Sequence, residues 1–163
     1  MDNEKLLLED ITDEIINAFY LVYNELGFVF LEKVYQNSLY LELLSRGFKV
    51  EPQKQIKVYF KGRQVGDYYA DMVVDNLIIL ELKTSGGIEL EHEAQLLNYL
   101  KGTEMEIGLL LNFGLKPQVK RKIFTNDRKK SLNKLTDSHW LDHGLYGYYG
   151  LTQIFLRFVK CET

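Results

Sequence analysis

Asp71-Met-Val-Val-Asp-Asn-Leu-Ile-Ile-Leu-Glu-Leu-Lys83 is the stretch on which the fold turns. Leu77 to Leu80 is an uninterrupted apolar run, the pattern of a strand buried on both faces, and Asp75-Asn76 before it is a tight-turn pair. Alternation along the strand puts Glu81 and Lys83 on one side, and the turn brings Asp71 back toward them. Two carboxylates and an ammonium beside an apolar strand are costly to bury unless they pair or meet a cation. Glu-x-Lys alone reads as a salt bridge at a strand end. The wider combination points to a functional centre: Asp71, the buried run, the Gly86-Gly87 loop, and Glu93, Gln95 and Tyr99 on the following helix. Hard oxygen ligands of this kind suit magnesium or manganese better than zinc.

Upstream, Leu8, Ile11, Ile15, Phe19, Val22 and Leu26 recur at helical spacing, so residues 4 to 26 are expected as a helix that stops at Gly27. A second helix is expected from about Phe30 to Arg46, ending before Gly47, with Glu32 in its first turn. Alternating Gln55 to Phe60 and Gln64 to Tyr69, broken at Lys61-Gly62, predict a hairpin. Downstream, Ile88 to Leu100 reads as a helix stopped by Gly102, and Ile107 to Leu111 as another buried strand. The order α, α, β, β, β, α, β describes an α/β layer. Asp137 to Gly150 is rich in Gly and Tyr, and Ile154, Leu156 and Phe158 alternate like a closing strand, so residues 125–163 are expected to add an edge strand or a homodimer contact.

A chain of 163 residues with 46% hydrophobic and 26% charged residues suits one globular domain over residues 1–163. The single cysteine, Cys161, excludes an intrachain disulfide framework and a cysteine-based metal cluster; a reducing cytoplasm fits best, and no stretch is long and apolar enough to span a membrane. Net charge is −3, yet eight basic residues and one acid lie between Lys116 and Lys134, leaving 12 basic and 22 acidic residues elsewhere. That asymmetry suits one phosphate-facing edge, with a solvated lysine-rich loop as the plainer reading. His92, His139 and His143 lack the paired spacing of a zinc protease, and neither a phosphate-binding glycine loop nor a serine-nucleophile elbow is present. His92 reads as a helix-start residue, and Trp140, Tyr146, Tyr148 and Tyr149 as core or dimer packing.

The ordered set Asp71, Glu81-Leu82-Lys83 and Gln95-Leu-Leu-Asn-Tyr99 resembles the PD-(D/E)XK nuclease superfamily, and its Gln-x-x-x-Tyr element resembles the RecB-like branch. Leu26 to Phe124 resembles the small bacterial GxxExxxY proteins, most specifically at residues 92–101 and 110–114. Val29 stands where that family has glycine, Tyr35 follows Glu32 one residue early, and Ala70 replaces the proline of the superfamily's name. The resemblance implies a restriction-endonuclease-like core, a central mixed β-sheet flanked by α-helices. It also implies a nuclease that cuts nucleic acid, DNA in preference to RNA, with Mg²⁺ (or Mn²⁺). Asp71, Glu81 and the Leu82 carbonyl would hold the metal, Lys83 and Glu32 would act on the attacking water, and Gln95 would steady them. Tyr99, Lys116, Lys120, Arg121 and Lys122 would contact the nucleic acid. The alternative is a non-catalytic module on the same fold that binds nucleic acid or protein.

Overall fold

The computed structural model describes residues 2–60 and 63–129. The chain divides into two units, residues 1–130 and 131–163, and the described residues lie in the first. The expected closing strand, His139, Trp140, His143 and the tyrosine-rich segment fall outside the described residues.

Helix α1 (Asp2–Leu26) and helix α2 (Glu32–Ser45) form where the apolar spacing predicted them. Ile15, Phe19 and Val22 of α1 are buried on the stripe that its spacing predicts, whereas α2 buries Tyr35, Leu39 and Leu43 and leaves Leu31, Val34, Leu41 and Leu44, expected as its apolar contacts, exposed, because its apolar residues do not keep to one face. Each helix is followed by a glycine in the left-handed region, Gly27 at φ 72° and Gly47 at φ 88°, where a side chain would be strained.

Among the described residues five strands follow: β1 (Val50–Phe60), β2 (Arg63–Val74), β3 (Ile78–Lys83), β4 (Ile107–Asn112) and β5 (Gln118–Ile123), with helix α3 (Leu90–Lys101) between β3 and β4. They form one sheet in the order β1-β2-β3-β4-β5. Neighbours are antiparallel except β3 and β4, which run parallel because α3 carries the chain across. Alternate residues feed two cores. Ile78, Leu80 and Leu82 pack with α1 and α2, whereas Ile79 packs with Leu96, Tyr99 and Leu100 of α3. The expected α/β fold, a mixed sheet flanked by helices, is therefore present.

Four other details differ from the expectation. β2 is one unbroken strand of 12 residues, because its first half continues the ribbon with β1 after parting from β3. Leu77 belongs to the turn and is 39% exposed, since Asp75 and Asn76 both take positive φ (52° and 57°) and the Leu77 N–H donates to the Val74 carbonyl at 2.9 Å. α3 starts at Leu90 and not Ile88, because Glu89 serves as its cap and donates its own N–H to His92 Nδ1 at 3.2 Å. The strand β5 lay unseen inside the basic segment: three consecutive cations, Lys120, Arg121 and Lys122, hide its alternation, and such charges suit the outermost strand among the described residues.

Two glycines set how closely elements approach. A Cβ on Gly108 of β4 would lie 2.6 Å from Leu96 Cδ1, the movable end of an α3 side chain, whereas one on Gly114 would lie 2.1 Å from the Ser85 backbone carbonyl oxygen. Gly114→Ala is therefore expected to cost about 3 kcal/mol or more and Gly108→Ala about 1 kcal/mol. Urea denaturation of both variants checks the order; equal costs would mean that the Ser85 loop moves as freely as a leucine tip.

Candidate active site

The site begins where β2 and β3 separate. Their pairing ends at Met72 and Leu80, so Asp71 and Glu81 are the first residues beyond the ladder on each strand. Asp71 Oδ2 accepts the Leu82 N–H at 2.7 Å, and its Oδ1 accepts the Gln36 Nε2–H of α2 at 2.8 Å. A side chain thus takes up a β3 backbone donor at the fork and is itself aimed by α2.

Glu81 is 2% exposed. Its Oε1 accepts from Lys83 Nζ at 2.7 Å, while its Oε2 is buried with no hydrogen-bond donor among the described residues. A buried carboxylate oxygen without a donor is expensive. Burial first, then the charge of Asp71, pushes the Glu81 carboxyl up to about 7, against the hydrogen bond and charge of Lys83. Burial likewise raises Asp71, against the Leu82 N–H and the Lys83 charge. Glu32, in the first turn of α2, is raised by burial and by Asp71, while Lys83 and His92 lower it. For Lys83, burial disfavours the cation, but Glu81, Glu32 and Asp71 together outweigh it and hold the ammonium above its ordinary range. Glu81 and Lys83 both rise, Glu81 chiefly through burial and then through its acidic neighbours, Lys83 through those carboxylates against burial, because three carboxylates share one lysine.

The back of the site is held by groups that the sequence reading passed over. Asn112, fully buried and opposite Lys83 in the β3–β4 register, donates to the Ser85 carbonyl and accepts the Ser85 N–H, both at 3.0 Å. The Phe113 N–H donates to the Lys83 carbonyl at 2.7 Å. Gln118 Oε1 accepts the Ile88 N–H at 2.9 Å, so β4 and β5 fasten the loop that follows Lys83. Gln36 was also missed, and its only signal was a position one helical turn after Glu32.

The remaining sequence-derived residues fall in three places. Gln95 Nε2 donates to the Tyr99 hydroxyl at 2.6 Å, and that hydroxyl donates to the Tyr69 carbonyl at 3.2 Å. Tyr99 is 3% exposed, so in this arrangement it packs and presents no open face to a strand. Lys120 and Lys122 both ion-pair with Glu93 of α3, one on each carboxylate oxygen, while Lys116 and Arg121 are exposed. Lys129, counted in the basic segment, is buried and donates to the Thr103 and Met105 carbonyls at 2.8 and 2.7 Å, a structural role.

Among the described residues no three His, Cys, Asp or Glu side chains are placed to hold a metal by themselves. Asp71 and Glu81 still fit a hard cation, because two oxygen-donor side chains stand at the fork and Glu81 Oε2 has no other partner among the described residues.

A mixed sheet whose central strand ends in Glu-x-Lys, faced by an aspartate across a strand fork, defines an α/β protein with an acidic centre built around one lysine. The chain belongs to the PD-(D/E)XK nuclease superfamily, whose family model matches residues 9–122. No curated protein matches. Two solved structures are similar in part. The protein SSO0001 is 20% identical with a TM-score of 0.46, over 64% of this chain and 57% of its own. The alkaline exonuclease LHK-Exo from Laribacter hongkongensis is 12% identical with a TM-score of 0.43, over 63% and 59%. The chain thus spans less than two thirds of the length of either.

The raised Glu81 carboxyl has a consequence for stability. Unfolded, the group titrates near 4.5, and folded near about 7, so the native state holds the proton more tightly. The resulting stability is complete below about pH 4.5 and is lost as pH rises to about 7, by up to about 3 kcal/mol. In EDTA, Glu81→Gln is expected to lack this loss and to equal or exceed the wild type at pH 8 but not at pH 4.5. Urea melts at both values test this, and a strongly destabilised variant at pH 8 would make the Lys83 pair a structural salt bridge.

Proposed function

We propose that this chain is a divalent-metal-dependent nuclease that hydrolyses phosphodiester bonds, in DNA in preference to RNA, and works in the cytoplasm. The observation that carries the reading is Glu81: it is buried, one oxygen is committed to Lys83, and the other is without a donor among the described residues beside a second carboxylate at the strand fork. A fold has no structural need for that arrangement, whereas a phosphodiester site does. Among the described residues no helix is long and apolar enough to cross a membrane. The finer likeness to the RecB-like branch and the GxxExxxY proteins rests on residues 92–101 and 110–114, which supply Gln95, Tyr99, Asn112 and Gly114.

Asp71 and Glu81, with the Leu82 carbonyl, would hold Mg²⁺ or Mn²⁺. When bound, that ion supplies Lewis-acid polarisation of a phosphodiester oxygen and offsets the charge that builds on phosphorus. Lys83, held as the cation by its acidic neighbours, donates a hydrogen bond to the attacking water and offsets charge in the transition state; its raised pKa makes it a poor base. Glu32 faces the same cluster with a raised carboxyl and takes the water proton as the new P–O bond forms and the ester P–O bond breaks, the departing alkoxide taking a proton from solvent water. Gln95 acts on this centre through the Tyr99 hydroxyl and so positions the wall under it.

Incubating the full chain with labelled single- and double-stranded DNA and RNA, in Mg²⁺, Mn²⁺ or EDTA, tests the reading. Cleavage is expected with either metal and not with EDTA, and Asp71→Asn, Glu81→Gln and Lys83→Ala are each expected to lower it by at least about 100-fold while binding survives. Wild-type rates in all three variants would remove the site from these residues, and binding without cleavage would favour the interaction module. The segment Lys116, Lys120, Arg121 and Lys122 is proposed as the phosphate path. Because Glu93 offsets part of its charge, replacing Lys120, Arg121 and Lys122 by alanine is expected to reduce the slope of log affinity against log salt by about 2. An unchanged slope would place the path elsewhere.

A further inference from the structure

Between α1 and α2 the chain exposes four consecutive apolar side chains: Phe28 at 48%, Val29 at 76%, Phe30 at 46% and Leu31 at 81%. A run of that length in water is unfavourable unless something covers it in use. The run is also held out firmly. The Tyr35 hydroxyl donates to the Gly27 carbonyl at 2.8 Å and accepts the Phe30 N–H at 3.2 Å, while its buried ring stacks on Phe113 at 4.5 Å. The Val34 N–H closes the other end on the Leu31 carbonyl at 2.9 Å. Leu31 moreover occupies the N-cap of α2 with no side-chain cap bond, a position where Ser, Thr, Asp or Asn would stabilise the helix. The helix start is therefore built with an apolar surface at the expense of its own cap.

The run leads directly into the first turns of α2, whose Gln36 donates to Asp71 Oδ1 at 2.8 Å, and into Glu32, whose carboxyl is raised in part by Asp71. From Glu32 back to Val29 is three residues, at most roughly 11 Å of chain, and strand bases recur about every 3.4 Å along a duplex, so the run lies within a few nucleotides of a phosphodiester at the site. Lys33, exposed on the other side of Glu32, adds a cation whose field reaches Asp71. The four-residue run is small beside the area that a stable dimer interface buries, which favours bases over a second copy of the chain.

We propose that Phe28–Leu31 is a base-contacting lip that receives unpaired bases of the strand cut at Asp71, Glu81 and Lys83, so that the substrate class is nucleic acid with a single-stranded or frayed segment. This rests on the nuclease reading of the site. Paired bases in a duplex are already stacked and present only edges and backbone, whereas unpaired bases offer the faces that Phe28 and Phe30 can take, with Val29 and Leu31 beside them.

The test uses the full chain in EDTA, where nothing is cut, with fluorescent single-stranded DNA, single-stranded RNA and duplex DNA, and the variants Val29→Ser/Leu31→Ser and, as a control, Leu41→Ser. Leu41 is 65% exposed on α2 and lies outside the lip. The double variant is expected to weaken single-strand affinity by about tenfold or more and duplex affinity by less than about twofold, with the Leu41 variant unchanged. Its melting temperature is expected to hold or rise, because serine is the better cap. Unchanged single-strand affinity, an equal loss on duplex, or a lowered melting temperature or altered self-association without a binding change would each overturn the lip. Binding intact in wild type that never cuts in Mg²⁺ or Mn²⁺ would overturn the nuclease reading and leave the lip standing.

Discussion

The site depends on the bond between the Leu82 N–H and Asp71 Oδ2, 2.7 Å long, at the point where β2 and β3 stop pairing. With Asp71 as acceptor, the Leu82 N–H is satisfied at the fork. Everything else at the centre follows from that substitution of side chain for ladder. β2 can leave toward β1, β3 can continue beside β4, and the space between them takes carboxylates in place of apolar side chains. The Asp75-Asn76 turn sets the register on which this depends, because a slip of one residue would send Glu81 into the core of α1 and α2 and bring Leu80 to the site.

Much of this was legible because local chemistry and the final environment agree. Gly27 and Gly47 end helices for the conformational reason that identifies them in sequence, and Ile78 to Leu80 form a buried strand because no polar residue interrupts them. Asp71, Glu81 and Lys83 share one electrostatic cluster, as their spacing on two strands had suggested, and Glu32, which only the family resemblance had pointed to, acts on the same groups. Sequence was silent where a residue's role depends on contacts far along the chain. Gln36 meets Asp71 over 35 residues, and Asn112 clasps Ser85 over 27. Gln36 carries no mark beyond its place one turn after Glu32, and Asn112, though inside residues 110–114, gives no sign in sequence that its partner is Ser85. β5 failed for a different reason: charged side chains serve an edge strand well, so the period-2 signal that marks a strand is lost there.

The basic segment shows why counting charges along the sequence overstates a patch. Two of its lysines share Glu93, and Lys129 is spent on backbone carbonyls. Exposed pairs of this kind add little stability, so their effect is to trim the local potential while leaving cations that a polyanion can compete for. Arg121 and Lys116, exposed on and beside the edge strand, keep the segment positive despite Glu93.

Three raised carboxylates around one lysine are an arrangement that stability alone would not retain. Burial penalises each charge, and Lys83 can neutralise only one of the acids, so replacing the cluster by apolar residues of similar volume would relieve the fold. The surrounding structure instead spends specific contacts on keeping it: Gln36 aims Asp71, Asn112 and Phe113 anchor the end of β3, and Gly114 leaves no side chain against the Ser85 carbonyl. The same holds for the apolar loop before Glu32, which is braced by a buried tyrosine and gives up a helix cap. Sites where local rules are broken and then reinforced from behind are where function opposes packing. Here two such places adjoin, one polar in the interior and one apolar in water, and the chain joins them through a single residue, Glu32.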